Sequence, residues 1–312
     1  MKICFLFPGQ GAQYPGMAKD LWEASPKVKE LFATASKASG LDMKSLLFDA
    51  SAEDLKATDK TQVAMTLASL SASAALRERG VIPEGCAGFS LGEYAALAEA
   101  GVLSLADVFP IVKARGEVME KAARALDSAD GAPGMAAVLG ISSESAASAV
   151  DALSSQGVFV ANFNSPTQVV VSGTALGLSH AEQALKAAGA RRVVKLQVSG
   201  PFHSPLMEQA RADFEKVLSS FVFSDPRLPV YSNVTGRRIV SGAEARGLCV
   251  TQLVSPVRWV AEEQALFAGG YDRFYETGPG TVLTGLLRAL SPEARCAAVG
   301  TLEGMKKALE AA

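Results

Sequence analysis

Gly85-Cys86-Ala87-Gly88-Phe89-Ser90-Leu91-Gly92-Glu93-Tyr94 passes from a short apolar run, through a serine set between glycines, into a helix-forming sequence. Residues 85–89 predict a short strand and residues 90–100 a helix. Gly88-Phe89-Ser90-Leu91-Gly92 fits the pattern G-x-S-x-G. Its glycines permit a sharp strand-to-helix turn that lifts the serine hydroxyl into the open, and the N–H of Leu91 then points at any oxyanion forming there. A strand feeding a helix in this way is a unit of an α/β sheet, where functional groups gather at the carboxyl ends of the strands. Alone, the five-residue pattern also fits a plain structural turn.

Toward the N-terminus, Ile3-Cys4-Phe5-Leu6-Phe7 predicts a fully buried strand ended by Pro8-Gly9. The Gly9–Gln13 loop that follows places Gln10 at the same end of the sheet as Ser90. A glycine-rich turn with an exposed glutamine is the alternative; a phosphate loop is not, since the Lys-Ser/Thr ending is missing. Helical patterns fill residues 17–79, and Val63, Leu67, Leu70 and Ala74 predict one buried helix face.

Beyond the serine, Ser104 predicts the cap of a helix running to about Leu126, with Asp107 as its box partner and Pro110 kinking it or ending its first segment. Arg115 lies in that helix among Val108, Ile111, Val112 and Val118. An arginine on an apolar face needs an anion, and its planar fork suits a carboxylate. An internal salt bridge to Glu117 or Glu120, or a snorkelling side chain, stays open.

Residues 134–198 change rhythm. They predict strand 135–140, helix 143–155, strands 158–163 and 168–172 joined by Asn164-Ser165-Pro166, helix 174–188 ended by Gly189, and strand 192–198. That order, βαββαβ, is a ferredoxin-like unit set into a larger α/β domain, with Ala125–Pro133 as the hinge leading into it. After it, 205–221 and 259–267 predict helices, 229–233 and 273–276 strands, and Gly278-Pro279-Gly280 turns into a closing helix over 282–290.

Only two histidines are present. His180 falls off the apolar stripe of Leu178, Ala181 and Leu185, so it reads as a surface residue. His203 sits in Gly200-Pro201-Phe202-His203-Ser204-Pro205, where a strand ends and a helix begins. A helix N-terminus disfavours imidazolium, so its ring would be neutral and able to take a proton, although a loop histidine capping a turn is the alternative. The net charge of −2 excludes a global field for nucleic acid. The four cysteines are far apart and form no CxxC pair, so they read as reduced, buried side chains rather than a zinc site or disulfide framework. No apolar run is long enough for a signal-peptide core or a membrane span, which predicts a cytoplasmic protein.

Taken together, Phe7-Pro8-Gly9-Gln10-Gly11-Ala12-Gln13, the serine turn with Glu93-Tyr94, Arg115-Gly116, Asn162-Phe163-Asn164-Ser165-Pro166, Phe202-His203-Ser204, Gln252 with Pro256-Val257-Arg258-Trp259, and Glu276-Thr277-Gly278-Pro279-Gly280 resemble, in order and over nearly the whole chain, malonyl-CoA:acyl-carrier-protein transacylases. The acyltransferase domains of fatty-acid and polyketide synthases are similar, but 312 residues suits the free-standing enzyme. The resemblance implies a hydrolase-like α/β domain with a parallel sheet core (1–130 and 199–312) carrying the inserted ferredoxin-like subdomain (131–198). It implies Ser90 as nucleophile, His203 as its base oriented by the backbone carbonyl of Gln252, an oxyanion hole from the N–H groups of Gln10 and Leu91, and Arg115 on the malonyl carboxylate. Asn162 and Asn164 fall near the family's site.

The family usually has histidine where this chain has Phe89, which bears on hydrogen bonding beside the turn and on the shape of the acyl pocket. Phe202 before His203 resembles the malonyl-selective pattern. The implied partners are malonyl-CoA and acyl carrier protein, with coenzyme A and phosphopantetheine as substrate carriers, no resident cofactor or metal, no nucleic acid or membrane, and a monomer. Arg191, Arg192 and Lys195 are candidates for a basic patch that docks the acidic carrier. A serine esterase or thioesterase, which passes the acyl group to water, a non-catalytic synthase subunit, and service to polyketide synthesis are the rival readings.

Overall fold

A strand as apolar as Ile3–Phe7 must be covered on both faces. In the computed structural model, which describes residues 1–311, the chain runs β1 (Ile3–Phe7), α1 (Lys19–Ala24), α2 (Pro26–Ser39), α3 (Met43–Phe48), α4 (Thr58–Glu78), β2 (Gly85–Gly88), α5 (Gly92–Glu99), α6 (Leu105–Arg124), β3 (Gly134–Leu139), α7 (Ser143–Asp151), β4 (Val158–Ser165), β5 (Gln168–Gly173), α8 (Ala175–Ala187), β6 (Arg192–Lys195), α9 (Glu208–Leu218), α10 (Gly242–Gln252), α11 (Trp259–Ala268), β7 (Arg273–Glu276), α12 (Val282–Leu290), β8 (Cys296–Ala298) and α13 (Leu302–Glu310). Strand β1 lies inside a parallel sheet of order β2-β1-β7-β8. Phe5 and Phe7 enter one apolar cluster and Cys4 and Leu6 another, so the two-residue period of the strand feeds both faces.

Helix α4 departs from the expectation of a single buried face. It packs on α2, α5 and α6, and residues Thr58, Thr61–Ser73, Ala75 and Leu76 are buried nearly all round. Helix α6 is capped as expected, with Ser104 accepting from the Asp107 N–H at 3.1 Å. It does not end at Pro110 but runs unbroken to Arg124. A proline inside a helix costs about 3 kcal/mol. Burial of Val108, Phe109, Ile111 and Val112, at about 1.5–3 kcal/mol each, outweighs that.

The second sheet is antiparallel with order β4-β5-β3-β6, and its elements follow the βαββαβ order. Helices α7 and α8 cover one face, closing over Val138, Val150, Val158, Val169 and Leu185. Met135 and Val170 join the main core from the other side. Asn164 and Ser165 belong to β4 and not to the turn, and β6 is shorter than expected, ending at Lys195.

Residues 229–233 do not form a strand. Pro229 has no N–H to donate, and the segment divides its bonds: the Cys86 N–H donates to Pro229 O at 2.9 Å, while Ile239 N–H donates to Val230 O at 2.8 Å. Helix α12 is not the last element, since β8 and α13 follow, and α10 was not foreseen. The four cysteines are free and buried. Among the described residues, no helix is long and apolar enough to cross a membrane.

Candidate active site

The turn after β2 is tight because its glycines leave no room for a side chain. A Cβ on Gly88 would lie 2.0 Å from Gly92 O, and one on Gly92 would lie 2.0 Å from Phe7 O. Ser90 itself has φ 51°, in the left-handed region. Such a backbone costs about 1–3 kcal/mol and persists only where its surroundings hold it. Here the Ser90 N–H donates to Asn233 Oδ1 at 2.6 Å and the Ser90 carbonyl accepts from Gln252 Nε2 at 3.1 Å.

His203, also left-handed at φ 57°, lies 113 residues away in sequence, yet its Nε2 is 2.7 Å from Ser90 Oγ. Its Nδ1 is 2.9 Å from the Gln252 carbonyl. A carbonyl only accepts, so Nδ1 carries the proton and Nε2 presents a lone pair to the serine hydroxyl. Burial, then the Arg115 charge, push the imidazole down to about 4. The ring is neutral as expected, but the cause is burial rather than a helix terminus. His180 takes no part: it is half-buried on α8 and bonded to Gln156.

Arg115 is 1% exposed. Nη1 donates to Gln62 Oε1 at 3.0 Å, Nη2 to Gln252 Oε1 at 3.0 Å and, at 3.4 Å, toward Ser90 Oγ. Neither Glu117 nor Glu120 is its partner; Glu120 accepts from Arg124 and Thr58. Two neutral amide oxygens satisfy hydrogen bonds but leave the charge uncompensated, which favours an anion beside the guanidinium. Among the described residues, the backbone N–H groups of Gln10 and Leu91 have no partner.

These groups meet at a cavity of about 240 Å³ between the carboxyl end of the parallel sheet and the open face of the antiparallel one. Gln10, Phe89, Ser90, Leu91, Arg115, Asn162, Asn164, Phe202 and His203 all line it. Gln252 stands behind, between Arg115 and His203. The Asn164 side-chain oxygen is buried without a partner.

The acyl transferase domain family matches residues 4–311. The malonyl CoA-acyl carrier protein transacylase of Bacillus subtilis is 39% identical over 311 residues, covering 99% of this chain and 96% of that protein. The chain belongs to this transacylase family. The malonyl CoA-acyl carrier protein transacylase structure from Clostridium perfringens superposes with a TM-score of 0.94 at 34% identity, covering 100% of this chain and 97% of that one. A malonyl-transacylase solved in complex with its type II polyketide-synthase acyl-carrier protein gives 0.93 at 36% identity, over 100% of both chains.

In this member of the transacylase family, the Phe89 side chain brings no hydrogen-bonding group beside the turn; its ring meets Trp259 edge-on, centroids 5.4 Å apart. The sequence reading missed the polar layer behind Ser90. Asn233, wholly buried, donates through Nδ2 to Gly88 O at 2.7 Å and Glu262 Oε1 at 2.6 Å, besides holding the Ser90 N–H. Glu93 Oε2 accepts from Gln252 Nε2 at 2.5 Å and Asn233 N–H at 3.2 Å. The Pro256–Trp259 motif also gains a purpose: Val257 pairs with β4 through the Phe163 N–H at 2.8 Å, and the Arg258 N–H donates to Asn233 O at 2.8 Å. A carboxylate in the apolar turn Leu91–Leu97 was the visible signal, since buried acids need partners.

Proposed function

We propose that the chain transfers a malonyl group from malonyl-CoA to the phosphopantetheine thiol of acyl carrier protein, for fatty-acid synthesis, by a ping-pong route through a malonyl ester on Ser90. The observation that carries this reading is the Ser90–His203 pair at 2.7 Å beside a buried guanidinium that no carboxylate satisfies. His203 Nε2 takes the Ser90 proton as Oγ attacks the thioester carbonyl. The oxyanion forms against the N–H groups of Gln10 and Leu91, and collapse expels the coenzyme A thiolate, which takes the proton from His203. The pantetheine thiol then gives its proton to His203 and attacks the ester, and Ser90 recovers its proton as the malonyl thioester leaves.

Arg115 holds the distal carboxylate of malonyl. A charge-assisted contact of this kind is worth roughly 1.5–3 kcal/mol, or about 10- to 150-fold against acetyl. Phe202 crowds the carbon that bears the extra methyl of methylmalonyl. Asn162 and Asn164, from β4, meet the acyl-pantetheine arm. Arg191, Arg192 and Lys195 are exposed and stand close in sequence to Leu196 and Val198, which line the cavity; this supports a basic approach for an acidic carrier on this unit. In this reading residues 131–198 form the inserted unit, residues 1–130 and 199–312 the catalytic one, and the enzyme works in the cytoplasm.

The test is incubation with radiolabelled malonyl-CoA, with and without carrier protein. Label should rest on the enzyme alone and move to the carrier when it is added. Stoichiometric release of free malonate without carrier would mean a hydrolase instead. Fatty-acid and polyketide carriers, run side by side, separate the two pathways by kcat/KM.

A further inference from the structure

Glu93 touches neither the cavity nor the reacting atoms, yet its side chain accepts from Gln252 and Asn233, which in turn bond Arg115 and the Ser90 N–H. Its Oε2 accepts from Gln252 Nε2 at 2.5 Å; the same amide, through Oε1, accepts from Arg115 Nη2 at 3.0 Å. The orientation of that amide is decided by its neighbours. Three acceptors face Nε2, namely Glu93 Oε2, Ser90 O at 3.1 Å and Asn233 Oδ1 at 3.4 Å, while a guanidinium, which can only donate, faces Oε1. Flipping the amide would set donor against donor at Arg115. Of the three acceptors, the Glu93 contact is the shortest. The other Glu93 oxygen is buried with no partner.

We propose that Glu93 is a positioning residue for acyl selectivity: by holding the Gln252 amide in one orientation, it aims the Arg115 guanidinium into the cavity where the malonyl carboxylate is received. The inference rests on Arg115 as the carboxylate clamp. Burial pushes the Glu93 carboxyl up to about 7. A carboxyl oxygen accepts from the Gln252 amide whether the group is ionised or neutral, so holding the amide does not require the charge. The isosteric amide of glutamine meets the same need.

The test compares Glu93→Gln with Glu93→Asp. Glutamine keeps the reach of the accepting oxygen; aspartate keeps the acid but withdraws it by one methylene from Gln252. The readout is the ratio of malonyl to acetyl kcat/KM, with thermal melts confirming that both variants fold. A residue that merely supports the fold lowers both substrates together and leaves that ratio unmoved. Glu93→Gln is expected to keep the ratio within about 3-fold of the parent, and Glu93→Asp to lower it by about 5- to 10-fold, the low end of the effect of removing a buried hydrogen-bond partner. An unchanged ratio in Glu93→Asp, or an equal collapse in both variants, overturns the proposal. Arg115→Ala is the reference. If it leaves the ratio intact, the clamp reading itself has failed; if it collapses the ratio while Glu93→Asp does not, only the role of Glu93 is refuted.

Discussion

The two sheets face the same cavity but are built by different rules. The antiparallel unit closes its own small core of valines and alanines under α7 and α8, helices that are polar on the outside. The parallel half buries α4 on nearly every side and carries Gln62, Glu93, Asn233, Gln252 and Glu262 wholly enclosed. Buried polar groups must find partners and, once satisfied, hold one geometry. The parallel half therefore has the rigidity to keep two left-handed residues, Ser90 and His203, in hydrogen-bond reach, while the antiparallel unit supplies a wall. Chemistry and the choice of acyl group, through Arg115 on α6, should follow the first, and the remaining contacts to substrate and carrier the second, with kcat and KM the way to separate them.

The largest effect is expected at His203. His203→Ala should lower transfer by about 10²–10⁴-fold, the usual worth of a positioned acid–base group, with His180→Ala near the parent rate; the reverse ranking would break the division. Because burial holds the His203 imidazole at about 4, protonation removes the base only as pH falls through that value. Sulfonylation of Ser90 by phenylmethylsulfonyl fluoride should accordingly stay level down to about pH 5 and decline below it. A decline centred near 6.5, the ordinary histidine value, would show that the ring is not desolvated.

Arg115 comes next. Arg115→Ala should reduce the preference for malonyl over acetyl by about 10- to 150-fold, with acetyl transfer spared or improved. An equal loss for both substrates would make Arg115 a structural residue.

In the antiparallel unit the effects should be smaller and confined to binding. Asn164→Ala, which removes a cavity-lining residue whose side-chain oxygen is buried without a partner, should raise KM for malonyl-CoA by about 3- to 10-fold, the worth of a single hydrogen bond, with kcat kept. A fall in kcat alone would place Asn164 with the chemistry. Smallest of all, replacing Arg191, Arg192 and Lys195 with alanine should raise KM for carrier protein about 2- to 5-fold at low ionic strength, fading as salt screens the surface. An unchanged KM at low salt would reject that patch.

The same contrast governs how much was legible in the sequence. Strand β1, the serine turn and the order of the inserted unit follow from local pattern, because apolar runs, glycines and period-2 or period-3.6 spacing act over a few residues. Helix α10, rich in glycine and alanine, and β8, three residues without a branched side chain, carry too little pattern to be seen. Pro110 misled because tertiary burial overrode a local cost. Ser90 stood out through its glycine-flanked turn, His203 as one of only two histidines, and Arg115 as a charge among apolar neighbours. Asn233 and Glu93 did not, since they meet across 140 residues of chain, and nothing local to Asn233 reveals that its side chain is enclosed.

Intact-mass measurement after brief exposure to malonyl-CoA, without carrier protein, tests the central claim most directly. The parent enzyme should gain one malonyl group, lose it when carrier protein is added, and gain none as Ser90→Ala. An adduct that persists in Ser90→Ala would contradict the assignment of Ser90 as the acyl carrier and the mechanism built on it.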